Sequence, residues 1–204
     1  MPRFDLIRLA LLSVRCVFLV VAVAWAEEPA PLAFVTASPS GRFFFKMVPE
    51  TNGKGHGSAF EVLSDGSLKE LWKAEGWYAR QLFLSDDGRV LVRLDPSHRG
   101  RTVSKTDLAV AFHKDGVLIR EYHTADLVKQ PDKVRHGKDS YLWLAPLWVP
   151  ASDSRKPDGT VRVDRDLEAE PLLDAAGIFR LKTIDRIVYQ FEADTGRLVK
   201  RTML

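Results

Sequence analysis

The sequence predicts an all-β fold, an antiparallel meander of hairpin units behind an N-terminal signal helix. Three observations carry this. First, a glycine-ended turn leading into an apolar strand occurs twice. Ser38-Pro39-Ser40-Gly41-Arg42 precedes Phe43-Phe44-Phe45, and Ser85-Asp86-Asp87-Gly88-Arg89 precedes Val90-Leu91-Val92, 47 positions later. Second, each unit contains an Asp-Gly pair between β-type runs, Asp65-Gly66 and then Asp115-Gly116, 50 positions on. Glycine tolerates the positive φ such turns need, and Asp-Gly is a strong local hairpin signal. Third, a further copy closes the chain: Ile187 to Phe191, Asp194-Thr195-Gly196, then Arg197 to Val199.

Taken in order, the chain divides into residues 1–26 as a signal peptide, 27–33 as a Pro/Ala-rich leader, and 34–204 as one β-repeat domain. Between the second and last units the rhythm breaks. Thr124 to Lys129 offers an N-cap and a short helical turn stopped by Pro131. Tyr141 to Val149 is apolar on both faces, as in a buried strand, and bends at Pro146. Ala151 to Gly159 is polar and carries Pro and Gly, which predicts a surface loop.

The leader has the three-part form of an export signal. Arg3, Arg8 and Arg15 precede the apolar stretch Cys16–Ala26, and Ala24-Trp25-Ala26 puts small residues before Glu27. Eleven apolar residues fall short of the roughly 20 that a spanning helix needs. Extending the span backwards would bury Arg15. No later run is long enough, so no membrane span is expected after cleavage. The predicted location is the bacterial envelope, periplasmic or fully secreted.

Charge argues against a nucleic-acid partner. The formal net charge of +3 drops to about +1 when Arg3, Arg8, Arg15 and Asp5 leave with the leader. Two local basic clusters, His98 to Arg101 and Lys133 to Lys138, lie among Pro, Ser and Gly and read as solvated loops. The only cysteine is Cys16, inside the leader, so the mature domain has neither a disulfide nor a thiolate nucleophile. Its length suffices for a core without such a staple. Asn52 is followed by Gly-Lys, which is no glycosylation acceptor.

The Ser-Pro-Ser-Gly-Arg and Ser-Asp-Asp-Gly-Arg turns resemble the Ser-Pro-Asp-Gly turns of TolB-like and WD40-like bacterial β-propeller repeats. The resemblance covers Phe34–Tyr122 and, more faintly, Phe179–Val199. It implies propeller-blade-like units arranged as a partial or small propeller, or as a sandwich-like stack, and carries no functional residues. Blades of about 45 residues allow at most four in the mature chain, of which two complete units and a degenerate third are visible. A partner covering the sheet edges would suit so short an array.

No catalytic, cofactor or metal motif stands out, and none is predicted. Asn52 to Ser58 is glycine-rich but has neither the spacing of a phosphate-binding loop nor that of a serine-hydrolase elbow. It reads as a mobile inter-strand loop in which His56 could approach an anion. The five histidines form no close-spaced ligand pair, and His113, just before the Asp115-Gly116 turn, is expected at the surface. Asp65, Asp86 and Asp87 sit in turns, where aspartate bonds the local backbone. Trp72, Trp77, Tyr78, Tyr141, Trp143 and Trp148 form a dense aromatic set. Most are expected in the core, but Trp77-Tyr78 after Gly76 could sit at a rim and meet a ligand.

The resulting expectation is a non-enzymatic binding module for a protein or surface glycan, with Trp77, Tyr78 and His56 as candidate contacts and the oligomeric state open. The alternative is a periplasmic metal-dependent hydrolase or lactonase of propeller type, whose ligands would come from distant strands.

Overall fold

The structure is a computed structural model that describes residues 30–145 and 171–204. The predicted signal segment, Trp148, Pro146 and the Ala151–Gly159 stretch lie outside the described residues.

Alternation in the sequence becomes three four-stranded antiparallel meanders. The first contains β1 (Phe34–Ala37), β2 (Phe43–Pro49), β3 (Gly55–Val62) and β4 (Leu68–Glu75), in that order. The second contains β5 (Gln81–Leu84), β6 (Val90–Leu94), β8 (Leu108–Lys114) and β9 (Val117–His123). The third contains β12 (Leu172–Leu173), β13 (Ile178–Lys182), β14 (Ile187–Glu192) and β15 (Arg197–Met203). A small sheet of β10 (Arg135–His136), β11 (Ser140–Leu142) and β7 (Ser97–Arg99) completes the set. Among the described residues no sheet closes into a barrel.

One turn opens all three large sheets. Gly41, Gly88 and Gly177 donate their N–H groups to the carbonyls of Ser38, Ser85 and Asp174. The side chains of those same three residues accept the N–H groups of Phe43, Val90 and Ile178. The third copy is therefore as complete as the others, where the sequence shows only a degenerate one. Its Asp-Ala-Ala-Gly wording replaces Ser with an acid and loses the following Arg, while the hydrogen bonds survive.

The turn also ties two sheets together. Ser40 donates its N–H to Asp86 Oδ1 at 2.8 Å, and Trp72 Nε1 donates to the Gly88 carbonyl at 2.8 Å. The backbone bond from Ser40 holds the Asp86 carboxyl below its ordinary range. Gly88 is required twice over: φ is +70°, and a Cβ would lie 2.5 Å from the Phe43 ring.

The second sheet is covered on both faces. Its Leu82, Leu84 and Leu91 meet Phe43, Phe45, Met47, Ala59 and Ala74 of the first sheet in one core. Its Val90, Val92, Leu94, Val110 and Phe112 meet Phe179, Leu181, Ile187, Tyr189 and Phe191 of the third in another. Successive residues of β6 thus serve opposite cores, as a period of two demands. Phe112 is wedged 6.0 Å from the Phe179 ring and 5.4 Å from the Phe191 ring.

The segment that breaks the rhythm closes the second core from one end. Helix α1 (Thr124–Leu127) is the short helical turn read from the sequence, and Leu127 is buried in the core. Tyr141 and Trp143 are fully buried, but Leu142 between them is exposed. Over the described part of the predicted strand, the chain therefore presents one apolar face, where the sequence predicts two. Trp143 Nε1 donates to the Asp95 carbonyl at 2.7 Å. Burial pushes the Tyr141 hydroxyl above its ordinary range, and that hydroxyl donates to Asp107 at 2.7 Å. The basic clusters expected as loops each contribute a short strand, β7 and β10.

The glycine-rich stretch differs most from expectation. In place of a mobile loop, Thr51–Gly53 is a single 3-10 turn and β3 starts at Gly55. The glycines permit close approach. A Cβ on Gly57 would lie 2.3 Å from Phe45 Cζ, and one on Gly55 would lie 2.7 Å from the Val48 carbonyl.

Candidate partner-binding groove

Outer strands β9 and β15 run along the edges of the second and third sheets, and a groove of about 520 Å³ lies between them. Arg120 and Tyr122 enter from β9, Leu198 and Arg201 from β15, and Lys129 from the chain after α1. Tyr189 of β14 lies beneath, and Glu121 and Asp126 line the groove as well.

Three local features set this geometry. Gly196, with φ at +65°, packs so closely that a Cβ would lie 2.6 Å from Arg120 Cβ and 3.0 Å from the Phe112 ring. That lets the β14–β15 turn reach the second sheet, where Tyr122 donates its hydroxyl to the Gly196 carbonyl at 2.9 Å. Lys114 and Asp194 pair at 2.6 Å nearby. On the other side, Tyr189 donates to the Leu127 carbonyl at 2.5 Å, and burial pushes that hydroxyl up to about 12. Both tyrosines are thus fixed at their polar ends; Tyr189 is buried and forms the floor, while the half-buried Tyr122 offers ring area to the groove. Asp185, on the β13–β14 turn, accepts the N–H groups of Lys129 at 2.6 Å and Gln130 at 3.0 Å, which anchors the chain after α1.

The charge is mixed but weighted to the basic side. Asp126 is occupied with the N–H of His123 at 2.8 Å, and Lys129 Nζ donates to the Asp126 carbonyl. Among the described residues, no carboxylate lies within ion-pair distance of the Arg120 or Arg201 guanidinium. Two guanidinium groups beside the Tyr122 ring can bind carboxylate or other anionic groups and stack on flat or apolar ones.

The candidates read from the sequence lie elsewhere. Trp77 and Tyr78 sit in the link between β4 and β5, half-buried, and Gly55 packs against the Trp77 carbonyl and Tyr78 Cβ. The Trp77 ring lies 5.0 Å from the His113 ring, tilted by 34°, and the Arg93 guanidinium carbon lies 5.0 Å from the Trp77 centroid. Tyr78 meets Phe34 edge-on at 6.3 Å and donates its hydroxyl to the Leu32 carbonyl at 3.0 Å. His56 is exposed, with Nδ1 2.7 Å from Glu50 Oε1. All three lie at one end of the first sheet but engage separate partners, and none lines the groove.

His113 corrects the expectation of a surface residue, for it is only 5% exposed. Its position two residues before a turn says nothing about depth here, because the first sheet covers that face. Neither ring nitrogen has a well-formed hydrogen bond. Burial pushes its pKa down to about 4; the nearby Arg93 charge adds to this, and the Gly116 backbone opposes it weakly. Arg93 is itself lowered by burial, against the pull of Asp95 and Glu121.

Arg120, Tyr122, Tyr189 and Arg201 were not legible as a site. They come from strands far apart in sequence, and the groove exists only once the third sheet packs on the second. The one signal was Arg197 to Arg201, a strand with three basic residues and no acid. Among the described residues, no three His, Cys, Asp or Glu side chains converge as a cation site. None of their helices is long and apolar enough to cross a membrane. No protein-family model matches this chain, and no curated protein matches it.

Proposed function

We infer that this chain is an exported envelope protein, periplasmic or secreted, and a non-enzymatic module that binds a protein or a surface glycan. Its sheets are propeller-blade-like in this reading. Three meanders with the same strand order, each opened by the same glycine-ended turn, support that description. The observation that carries the binding role is the β9–β15 groove, where Arg120 and Arg201, with no carboxylate at ion-pair distance among the described residues, share one concave surface with Tyr122, held at its hydroxyl. A rigid base favours such a role, because the residues around it are already held in place before a partner arrives.

The export signal at Met1–Ala26 supports the location. The test is to tag the C-terminus in the native host, sequence the mature N-terminus, and capture partners from the envelope fraction. A mature start near Glu27 is expected, with a protein or glycan retained by the native chain and lost when Arg120 and Arg201 are both changed to Glu. A full-length cytosolic product, or equal recovery with the charge-reversed chain, overturns the reading.

A further inference from the structure

Three large sheets leave three outer strands at their rims, and the three differ. On β4, Lys69, Glu70, Lys73 and Glu75 alternate in sign, with Lys73 and Glu70 paired at 3.2 Å and Lys69 reaching Glu61 at 3.5 Å. Such an edge is neutralised from within. On β9, Arg120 is followed by Glu121. On β15, Arg197, Lys200 and Arg201 stand with no acid, and among the described residues only Arg197 finds a carboxylate, Glu192 at 3.4 Å.

The backbone of β15 is open as well. Among the described residues β14 alone pairs with it, over seven residues from Arg197 to Met203. Leu198, Val199 and Met203 are exposed, Met203 at 68%. Register places Arg201 opposite Tyr189 and Leu198 opposite Phe191, so both lie on the face turned to the second sheet and into the groove. A row of unpaired N–H and C=O groups beside basic and apolar side chains is a template for another strand. A second copy of the same edge would bring like charges together, which disfavours self-pairing.

We propose that the free edge of β15 binds an extended acidic segment of a partner protein by strand addition. Acidic side chains of that segment alternate with apolar ones and turn into the groove toward Arg120 and Arg201. The charge complement names the partner chemistry, and the open ladder names its conformation. The proposal rests on the reading of the chain as a binding module and narrows it to a protein ligand.

The probe is a blocked, fluorescently labelled peptide of alternating glutamate and valine, with a lysine–valine peptide as its counterpart, titrated into the mature protein. Expected is saturable binding of the acidic peptide that weakens at higher salt. Arg201→Glu and the milder Arg120→Gln should each weaken it about tenfold, with unchanged far-UV and near-UV circular dichroism. Amide hydrogen exchange should slow along Arg197–Met203, a change that charge attraction without strand pairing does not produce. Absence of saturable binding overturns the proposal, as do equal binding of the lysine peptide and unprotected β15 amides. Polygalacturonate binding in the groove without protection of those amides would assign it to an anionic glycan and also overturn strand addition. Loss of the peptide result alone leaves the wider module intact, since envelope capture tests that separately.

Discussion

Asp185 accepts the backbone N–H of Lys129 at 2.6 Å, joining a buried turn of the third sheet to the chain that follows α1. The carboxylate is 2% exposed and also takes the Gln130 N–H and the Thr183 hydroxyl. A buried acid in such a position replaces water for two backbone donors that would otherwise be stranded.

Asp185→Ala should therefore cost about 3 kcal/mol, because it leaves both donors without an acceptor. Asp185→Asn keeps one acceptor oxygen and should cost roughly half as much. Urea unfolding of the mature protein measures both. Equal, near-zero losses would show that the clamp contributes nothing.

His113 gives the fold a sensitivity to acid. Its folded pKa is about 4 against an ordinary 6.5, so the unfolded chain takes the proton first as pH falls. The stability tied to the neutral ring is complete above about pH 6.5 and declines until about pH 4, by about 3 kcal/mol, then stays flat. Arg93 faces the ring and Glu121 and Asp95 act on Arg93, so acids that protonate in the same range contribute separately. Comparing urea midpoints of the native chain and His113→Leu across this range isolates the histidine. A parallel pH dependence in the two would contradict it.

Phe112 and Phe44 predict unequal costs for one substitution. Phe112 is fully buried among Phe179, Phe191 and Tyr122. Phe112→Ala should cost about 3–5 kcal/mol. Phe44 stacks on Phe60 at 5.1 Å on the outer side of the first sheet and is only half-buried. Phe44→Ala should cost about 1 kcal/mol. Denaturant midpoints with unchanged slopes would confirm the contrast, and reversed ranks would refute this assignment of the cores.

Two glycines with similar backbone angles separate conformation from crowding. Gly66 has φ at +82° with open space where a Cβ would go, whereas Gly88 has φ at +70° and would press on Phe43. Gly66→Ala should cost about 1 kcal/mol, the price of the left-handed backbone alone. Gly88→Ala should cost at least about 1 kcal/mol more, through displacement of the Phe43 ring. Thermal midpoints of the two variants should differ accordingly.

Turn chemistry made most of the fold legible. Asp115 and Gly116 both have positive φ, at 51° and 82°, in a two-residue hairpin that joins Lys114 to Val117. Those are the angles an Asp-Gly pair between β-type runs predicts. The third meander was harder to see because its opening turn is spelled Asp174-Ala175-Ala176-Gly177. Aspartate and serine accept the same backbone hydrogen bond, so the structure conserves a geometry that the letters do not. The rhythm fails after Thr124, where, among the described residues, a helical turn and the short strands β10 and β11 follow in place of a meander.

Depth and juxtaposition were less legible. Gly55 and Gly57 looked like loop residues, but their missing side chains make room for Val48, Phe45 and Tyr78. His113 looked like a turn neighbour, yet it is sealed by a sheet whose strands precede it by roughly forty to eighty residues. The groove depends on Arg120 and Arg201, which no local pattern connects. Periodicity reports which way a side chain points, and only packing decides what it meets.

The middle sheet has a consequence for how the molecule comes apart. Leu91 belongs to one core and its neighbours Val90 and Val92 to the other, so neither core can melt while leaving the other with an intact wall. Damage on one flank is felt on the opposite flank through a single layer of backbone. The described sheets should consequently be lost together on heating, and a protease nick in β6 should abolish both cores at once.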